Sequence, residues 1–87
     1  MKAFLTVIGH DRVGIIADVS ARLASHRINI LDITQTILHE YFTMVMFIDL
    51  DAADVDIAAL QAEFAEYDEH LEIRIQNEEI FNSMHRI

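Results

Sequence analysis

Apolar and polar positions along this chain follow two periods, and the switches between them mark out strands and helices. Lys2 to Ile8 is apolar on both alternating sets, Ala3, Leu5 and Val7 on one and Phe4 and Ile8 on the other. That pattern predicts a strand covered on both faces. From Gly14 to Arg27, Ile16, Val19 and Leu23 recur at helical steps, with Asp18, Arg22 and Ser25 elsewhere around the wheel, predicting an amphipathic helix. Ile28 to His39 returns to a period of two. Leu31, Ile33 and Ile37 share one side and Asp32, Thr34 and Thr36 the other, as in a half-buried strand rich in β-branched residues. His39-Glu40 marks a tight turn, although neither is a preferred hairpin former.

Tyr41 to Leu50 is again apolar on both sets, with Phe42, Met44, Met46 and Ile48 opposite Tyr41, Val45 and Phe47. Asp51 to Asp56 supplies acids suited to capping a helix and to its dipole. Ile57, Leu60, Phe64 and Tyr67 then follow at helical steps, and Leu71, Ile73 and Ile75 alternate with Glu72, Arg74 and Gln76 as a last strand. Ile80, Met84 and Ile87 in the tail predict a short C-terminal helix. One domain over residues 1–77 with a helical extension over 78–87 accounts for the whole pattern. The order is βαββαβ. Strands one and three, apolar on both faces, belong at the centre of the sheet, and two and four at its edges. This is the strand order 4-1-3-2 of an α+β, ferredoxin-like fold with both helices on one face, and it satisfies the right-handed crossover rule.

Composition narrows the functional classes. At 87 residues the chain holds one domain. There is no cysteine, so neither disulfides nor a cysteine–zinc cluster supplements the core. Yet 53% of residues are apolar, more than a small monomer hides easily, which predicts a second buried surface and a homodimer. Fifteen acidic against six basic residues give a net charge of −9. That balance repels a phosphate backbone and argues against nucleic-acid binding. No apolar stretch approaches the ~20 residues of a membrane span, and Met1 to Gly9 does not match a signal peptide. The expectation is a soluble cytoplasmic protein, with no membrane and no nucleic acid among its partners.

Both glycines, Gly9 and Gly14, flank the junction between strand one and helix one, Gly9-His10-Asp11-Arg12-Val13-Gly14-Ile15-Ile16. A loop running into a helix N-terminus exposes unpaired backbone N–H groups at the positive end of the helix dipole, where carboxylates are attracted. Arg12 is placed to hold a carboxylate and Asp11 an ammonium group, which together suit an amino acid. The plainer alternative has Asp11 capping the helix and Arg12 in solvent. Asn29 offers both a donor and an acceptor to such a ligand, or else caps the turn between helix and strand.

The loop resembles the opening signature of ACT domains, G-x-D-[RK]-x-G-[IL]. Asn29-Ile30-Leu31-Asp32-Ile33 is similar to that family's second signature, N-I-x-x-[IV]. The resemblance runs on through Gln35-Thr36, Tyr41-Phe42-Thr43-Met44, Ile73-Arg74-Ile75-Gln76 and the tail from Ile80 to Ile87. That fuller pattern looks like a group of small stand-alone ACT proteins related to the ACT halves of the glycine cleavage system transcriptional repressor. The resemblance implies a non-catalytic regulatory module, paired with a second copy as a homodimer or within a higher oligomer. It implies that an amino acid or related metabolite binds at the subunit interface. Carried over by position, the contacts are Asp11, Arg12, Val13, Gly14, Ile15, Asn29, Ile30 and Leu31. No cofactor is implied, and a regulated protein partner would carry the output.

Other chemistry is thin. The five histidines show no metal-binding spacing and read as a scattered, exposed set, with only His10 adjoining the loop. Asp51 to Asp56 lacks the glycine and terminal glutamate of a calcium loop. Thr6, Ser20, Ser25 and Thr43 lack paired histidine and carboxylate partners for nucleophilic catalysis. Two alternatives stand beside the sensor. One is a structural dimerisation or adaptor protein without ligand, docking through its tail. The other is an acylphosphatase-like hydrolase using Arg12, which lacks the required asparagine on strand three.

Overall fold

The chain forms β1 (Lys2–His10), α1 (Ile15–Ser25), β2 (Asn29–Leu38), β3 (Tyr41–Asp49), α2 (Ile57–Tyr67) and β4 (Leu71–Asn77). The computed structural model describes residues 1–80, so the expected C-terminal helix lies outside the described residues from position 81 onward. The strands build one antiparallel sheet in the order β2-β3-β1-β4. This is the expected ferredoxin-like topology, with β1 and β3 at its centre.

The core lies between this sheet and the two helices. Ala3, Leu5 and Val7 of β1, Phe42, Met44, Met46 and Ile48 of β3, and Leu71, Ile73 and Ile75 of β4 face Ile15, Val19 and Leu23 of α1 and Leu60 and Phe64 of α2, all buried. The register shows why. Leu5 stands opposite Met46 and Ile75, and Val7 opposite Met44 and Ile73, so every second residue of three strands points at the helices. The other face is covered less than the sequence pattern predicts. Phe4 and Phe47 pack ring to ring at 4.9 Å, but Ile8, Tyr41 and Val45 are exposed.

β2 departs furthest from expectation, because it is not half-buried. A bulge between Ile30 and Asp32 interrupts its ladder with β3, adding a residue at Leu31 and kinking the edge. Beyond the bulge Ile33 lies opposite Met46 and Ile37 opposite Phe42, so both share the helix-facing side. They are nonetheless 42% and 58% exposed. The helix layer covers this outer strand only in part, so its correctly facing side chains stay exposed.

Helix α1 also ends sooner than the periodicity predicts. Arg27 takes a left-handed backbone, φ 60°, and its N–H bonds Ala24 O at 3.0 Å while Ile28 N–H bonds Leu23 O at 3.0 Å. This paired closure ends a helix one residue before the left-handed position, and buried Ile28 and Leu23 complete it with an apolar contact.

Candidate functional site

The end of β1, the start of α1 and the far end of β2 converge at one corner of the molecule. Asp11 N–H bonds Glu40 O at 2.9 Å, fastening the loop after β1 to the turn between β2 and β3. The loop then enters α1 through Gly14, whose φ of 92° is left-handed backbone open to glycine and costly for other residues. Asp18 N–H makes the first helical bond to Gly14 O at 2.9 Å. The amides of Ile15, Ile16 and Ala17 therefore have no partner within the helix, and no side chain caps this end. The contrast with α2 is direct, since there Asp56 Oδ1 accepts from Ala59 N–H at 2.8 Å.

A cleft of about 530 Å³ opens at this uncapped end. Its walls are mostly apolar, from Ile15, Ile16 and Ala17 on the helix side and Ile37 and Phe42 on the sheet side. Asp11, Arg12 and Gln35 supply its polar lining beside the Gly14 backbone. The arrangement places backbone donors, one carboxylate and one carboxamide around an apolar recess, a combination suited to a small ligand with charged and apolar ends.

Four of the residues singled out from sequence meet here: Asp11, Arg12, Gly14 and Ile15. Val13 does not line the cleft; it is 99% exposed. Asn29, Ile30 and Leu31 lie at the other end of β2, where Asn29 pairs with Asp49 and Ile30 with Ile48. At ~3.3 Å per residue they are roughly 13 to 20 Å from Gln35 along the strand. Sequence reasoning missed Ile16, Ala17, Gln35, Ile37 and Phe42. The usable signal was the two-residue turn, which sets Ile37 opposite Phe42 and brings that end of β2 back to the loop. His10 packs against the Tyr41 ring at 5.1 Å and does not line the cleft.

Arg12 is exposed to solvent, yet its guanidinium is not free. Its guanidinium bonds Asp68 Oδ2 at 3.1 Å, Val13 O at 3.2 Å and Asp18 Oδ2 at 3.5 Å, and donates to the Tyr67 hydroxyl. It also lies over the Tyr67 ring, 5.6 Å from the centroid. The Tyr67 hydrogen bond and the Asp68 carboxylate raise its pKa further above the ordinary arginine value. Tyr67 in turn donates to Asp18 Oδ2 at 2.8 Å. Partial burial, then this bond to a carboxylate, raises the phenol pKa. Asp68 is held below the usual carboxylate range, first by the His70 backbone amide and then by Arg12. The loop is thus strapped to the C-terminal end of α2.

The strap continues along the seam between the helices. Arg22 lies 4.5 Å from the Tyr67 centroid and pairs with Glu63 at 3.4 Å. Glu63 also bonds His26 Nε2 at 2.6 Å, and Asp54 bonds His26 Nδ1 at 2.8 Å. His26 is thus not one of an exposed set: its side chain is only 20% exposed and sits between two carboxylates. Their hydrogen bonds, Glu63 first, raise its pKa above the ordinary histidine value. Nothing in the spacing of His26, Asp54 and Glu63 announces this meeting, which only the packing of α1 on α2 produces. Among the described residues no helix is long and apolar enough to cross a membrane.

A model of the ACT domain family matches residues 3–77. A UPF0237 protein of Clostridium acetobutylicum is 54% identical over 89 aligned residues, covering 100% of this chain and 100% of that protein. An ACT domain protein from Streptococcus pneumoniae superposes with a TM-score of 0.81 at 42% identity, covering 93% of each chain. A structure described as a glycine cleavage system transcriptional repressor shares the fold, with a TM-score of 0.70 at 21% identity over 86% of this chain and 44% of its own.

Proposed function

Because the chain belongs to the ACT domain family, whose members are regulatory, ligand-binding modules, we propose that it binds an amino acid or a closely related metabolite at a homodimer interface. The observation that carries this reading is the uncapped start of α1, opening on an apolar-walled cleft. A ligand carboxylate takes the first-turn amides, where the helix dipole favours negative charge. Its ammonium group faces the Asp11 carboxylate and the Gln35 carboxamide. Its side chain lies against Ile16, Ile37 and Phe42. Arg12 contributes a fixed positive charge behind the loop rather than a free arm, because Asp68, Asp18 and Tyr67 already hold it.

The exposed β2 edge supports the homodimer. A second copy pairing antiparallel with β2 about a two-fold axis at Ile33 brings the strand end carrying Asn29 of the partner subunit beside the Gln35–Ile37 end of this one. The signature residues Asn29, Ile30 and Leu31 then join the cleft across the interface, which reconciles their place in the family pattern with their distance within one chain. The module acts without catalysis, in the cytoplasm, and passes its signal to a protein partner. An acylphosphatase-like reaction is disfavoured, since Arg12, the cation such a reaction needs to cradle phosphate, is held in place by Asp68 and Asp18.

The test is thermal unfolding with each of the twenty amino acids in turn. A ligand present at 100 times its Kd adds about 2.7 kcal/mol of stability, and the melting temperature rises with its concentration. Gln35→Ala is expected to reduce that rise while leaving the ligand-free melting point unchanged. A chain whose melting temperature no amino acid moves is not an amino-acid sensor.

A further inference from the structure

The two outer strands of the sheet are treated differently, and the difference lies in one side chain. β1 bonds β4 through Glu72, Arg74 and Gln76, because Leu5 and Val7 turn their own backbone groups toward β3. Leu71, Ile73 and Ile75 therefore present their N–H and C=O groups outward, along the free edge. Gln61 of α2 reaches down to this edge. Its Nε2 donates to Ile73 O at 2.7 Å, and its Oε1 accepts from Ile75 N–H at 2.8 Å. A carbonyl at one residue and an amide two residues on are the pair that a residue of a neighbouring parallel strand would use. The carboxamide occupies the place of that residue, opposite Arg74.

The β2 edge has no such cover. By the same alternation Ile33, Gln35 and Ile37 face outward. The Ile33 amide is taken by its neighbour's Asp32 Oδ1 at 2.8 Å, and among the described residues no side chain bonds the backbone of Gln35 or Ile37. An uncovered edge is a template for another strand, and proteins that must not polymerise cover or blunt it.

Left open, β4 would suit a second copy of this chain. Antiparallel pairing about a two-fold axis at Ile73 sets Leu71 against Ile75 of the other copy on the helix side. On the open side it sets Glu72 directly across from Arg74, twice over. Opposite charges facing each other across a strand pair are stabilising. The two residues are on hand for this, exposed and bonded to each other within the strand at 3.0 Å.

We infer that Gln61 is an edge guard: its carboxamide closes β4 to a second copy of this chain and so confines assembly to the other edge. Were both edges competent, pairs joined through β2 would link through β4 into an open ribbon. The inference stands on the β4 geometry and does not require the cleft to bind a ligand.

The experiment is sedimentation velocity of the full chain over a wide range of concentration, with Gln61→Met as the principal variant. Met keeps the length of the side chain and removes both hydrogen bonds. The expected result is a variant with wild-type circular dichroism whose mass climbs past that of a dimer as concentration rises, while the wild type's levels off at the dimer. Adding Arg74→Glu, which sets like charges across the pair, returns the mass to the wild-type value. In that double variant hydrogen exchange at the Ile75 amide is roughly two- to tenfold faster than in the wild type, the factor expected for one lost hydrogen bond. A folded Gln61→Met that keeps the wild-type mass at every concentration overturns the inference. So does association that persists unchanged with Arg74→Glu, since it would use another surface. Should Gln61→Met not fold, Gln61→Glu serves. Its carboxylate repels Ile73 O at neutral pH and frees the edge, whereas its protonated form donates again, so association appears at neutral pH and reverses in acid. Equal masses at both pH values would refute the guard.

Discussion

Among the described residues three adopt left-handed backbone, Gly14, Arg27 and His39, and only the first carries a sequence signal. At Gly14 an added Cβ meets nothing within 4 Å, so Gly14→Ala costs only backbone strain, about 1 kcal/mol after the stiffer unfolded chain is allowed for. Gly9 is the opposite case. Its Cβ would lie 2.6 Å from Leu71 Cδ2 and 2.7 Å from His70 O, and β4 must shift to admit it. Gly9→Ala is expected to cost more, roughly 1–3 kcal/mol, as overpacking does. Urea unfolding of the two variants checks the order; equal midpoints would deny the close approach. From the sequence both glycines read as parts of one loop, because spacing reveals where backbone freedom is concentrated but not which neighbour requires it. The stop at Arg27 was not legible at all, since an arginine in left-handed backbone has no pattern of its own.

The helices show how much of an element a sequence can reveal. The acids before α2 read as a capping segment, and Asp56 fills that role through Ala59. Asp56→Ala is expected to lower stability by about 1 kcal/mol, read as a shift of the urea midpoint. The same end of the helix layer carries His26, which faces Asp54 from the loop before α2, Glu63 from α2 and Arg22 from its own helix through Glu63. Its folded pKa is raised, so the protonated form favours the folded state. That contribution is complete below the unfolded histidine pKa of about 6.5 and is lost as pH rises through the higher folded value. The wild-type urea midpoint should therefore fall as pH is raised across that window, and His26→Gln should flatten the fall. A fall that survives in His26→Gln would have another source. Two carboxylates closing on one imidazole from separate elements is a tertiary event, and helical periodicity has no means of showing it. Sorting the strands, by contrast, succeeded from the sequence: two apolar sets in β1 and β3 mark central strands because such strands touch neighbours on both edges and carry most of the core. The same sorting overestimated the cover on β2, where periodicity reports which side faces the helices but not whether a helix extends that far.

For the whole molecule, the apolar excess and the net charge of −9 pull in opposite directions when copies meet. Ile33 and Ile37 on the β2 edge, with Ile8, Tyr41 and Val45 on the open face, are exposed and gain by being covered. Two chains each carrying −9 repel one another at long range. The proposed pairing through β2 uses backbone hydrogen bonds and apolar side chains, with Asp32 the only charged residue on that strand. Salt screens the repulsion over a Debye length of ~10 Å at 0.1 M and leaves backbone and apolar contacts largely intact. Dimerisation should therefore tighten as sodium chloride is raised, measured as a falling dissociation constant by sedimentation equilibrium. Ile37→Glu adds a charge to each β2 edge at the mouth of the cleft, so it should weaken the dimer and steepen that salt dependence. An association that loosens with salt would mean that ion pairs hold the copies together, and the β2 edge, with no basic residue, would not be their meeting place.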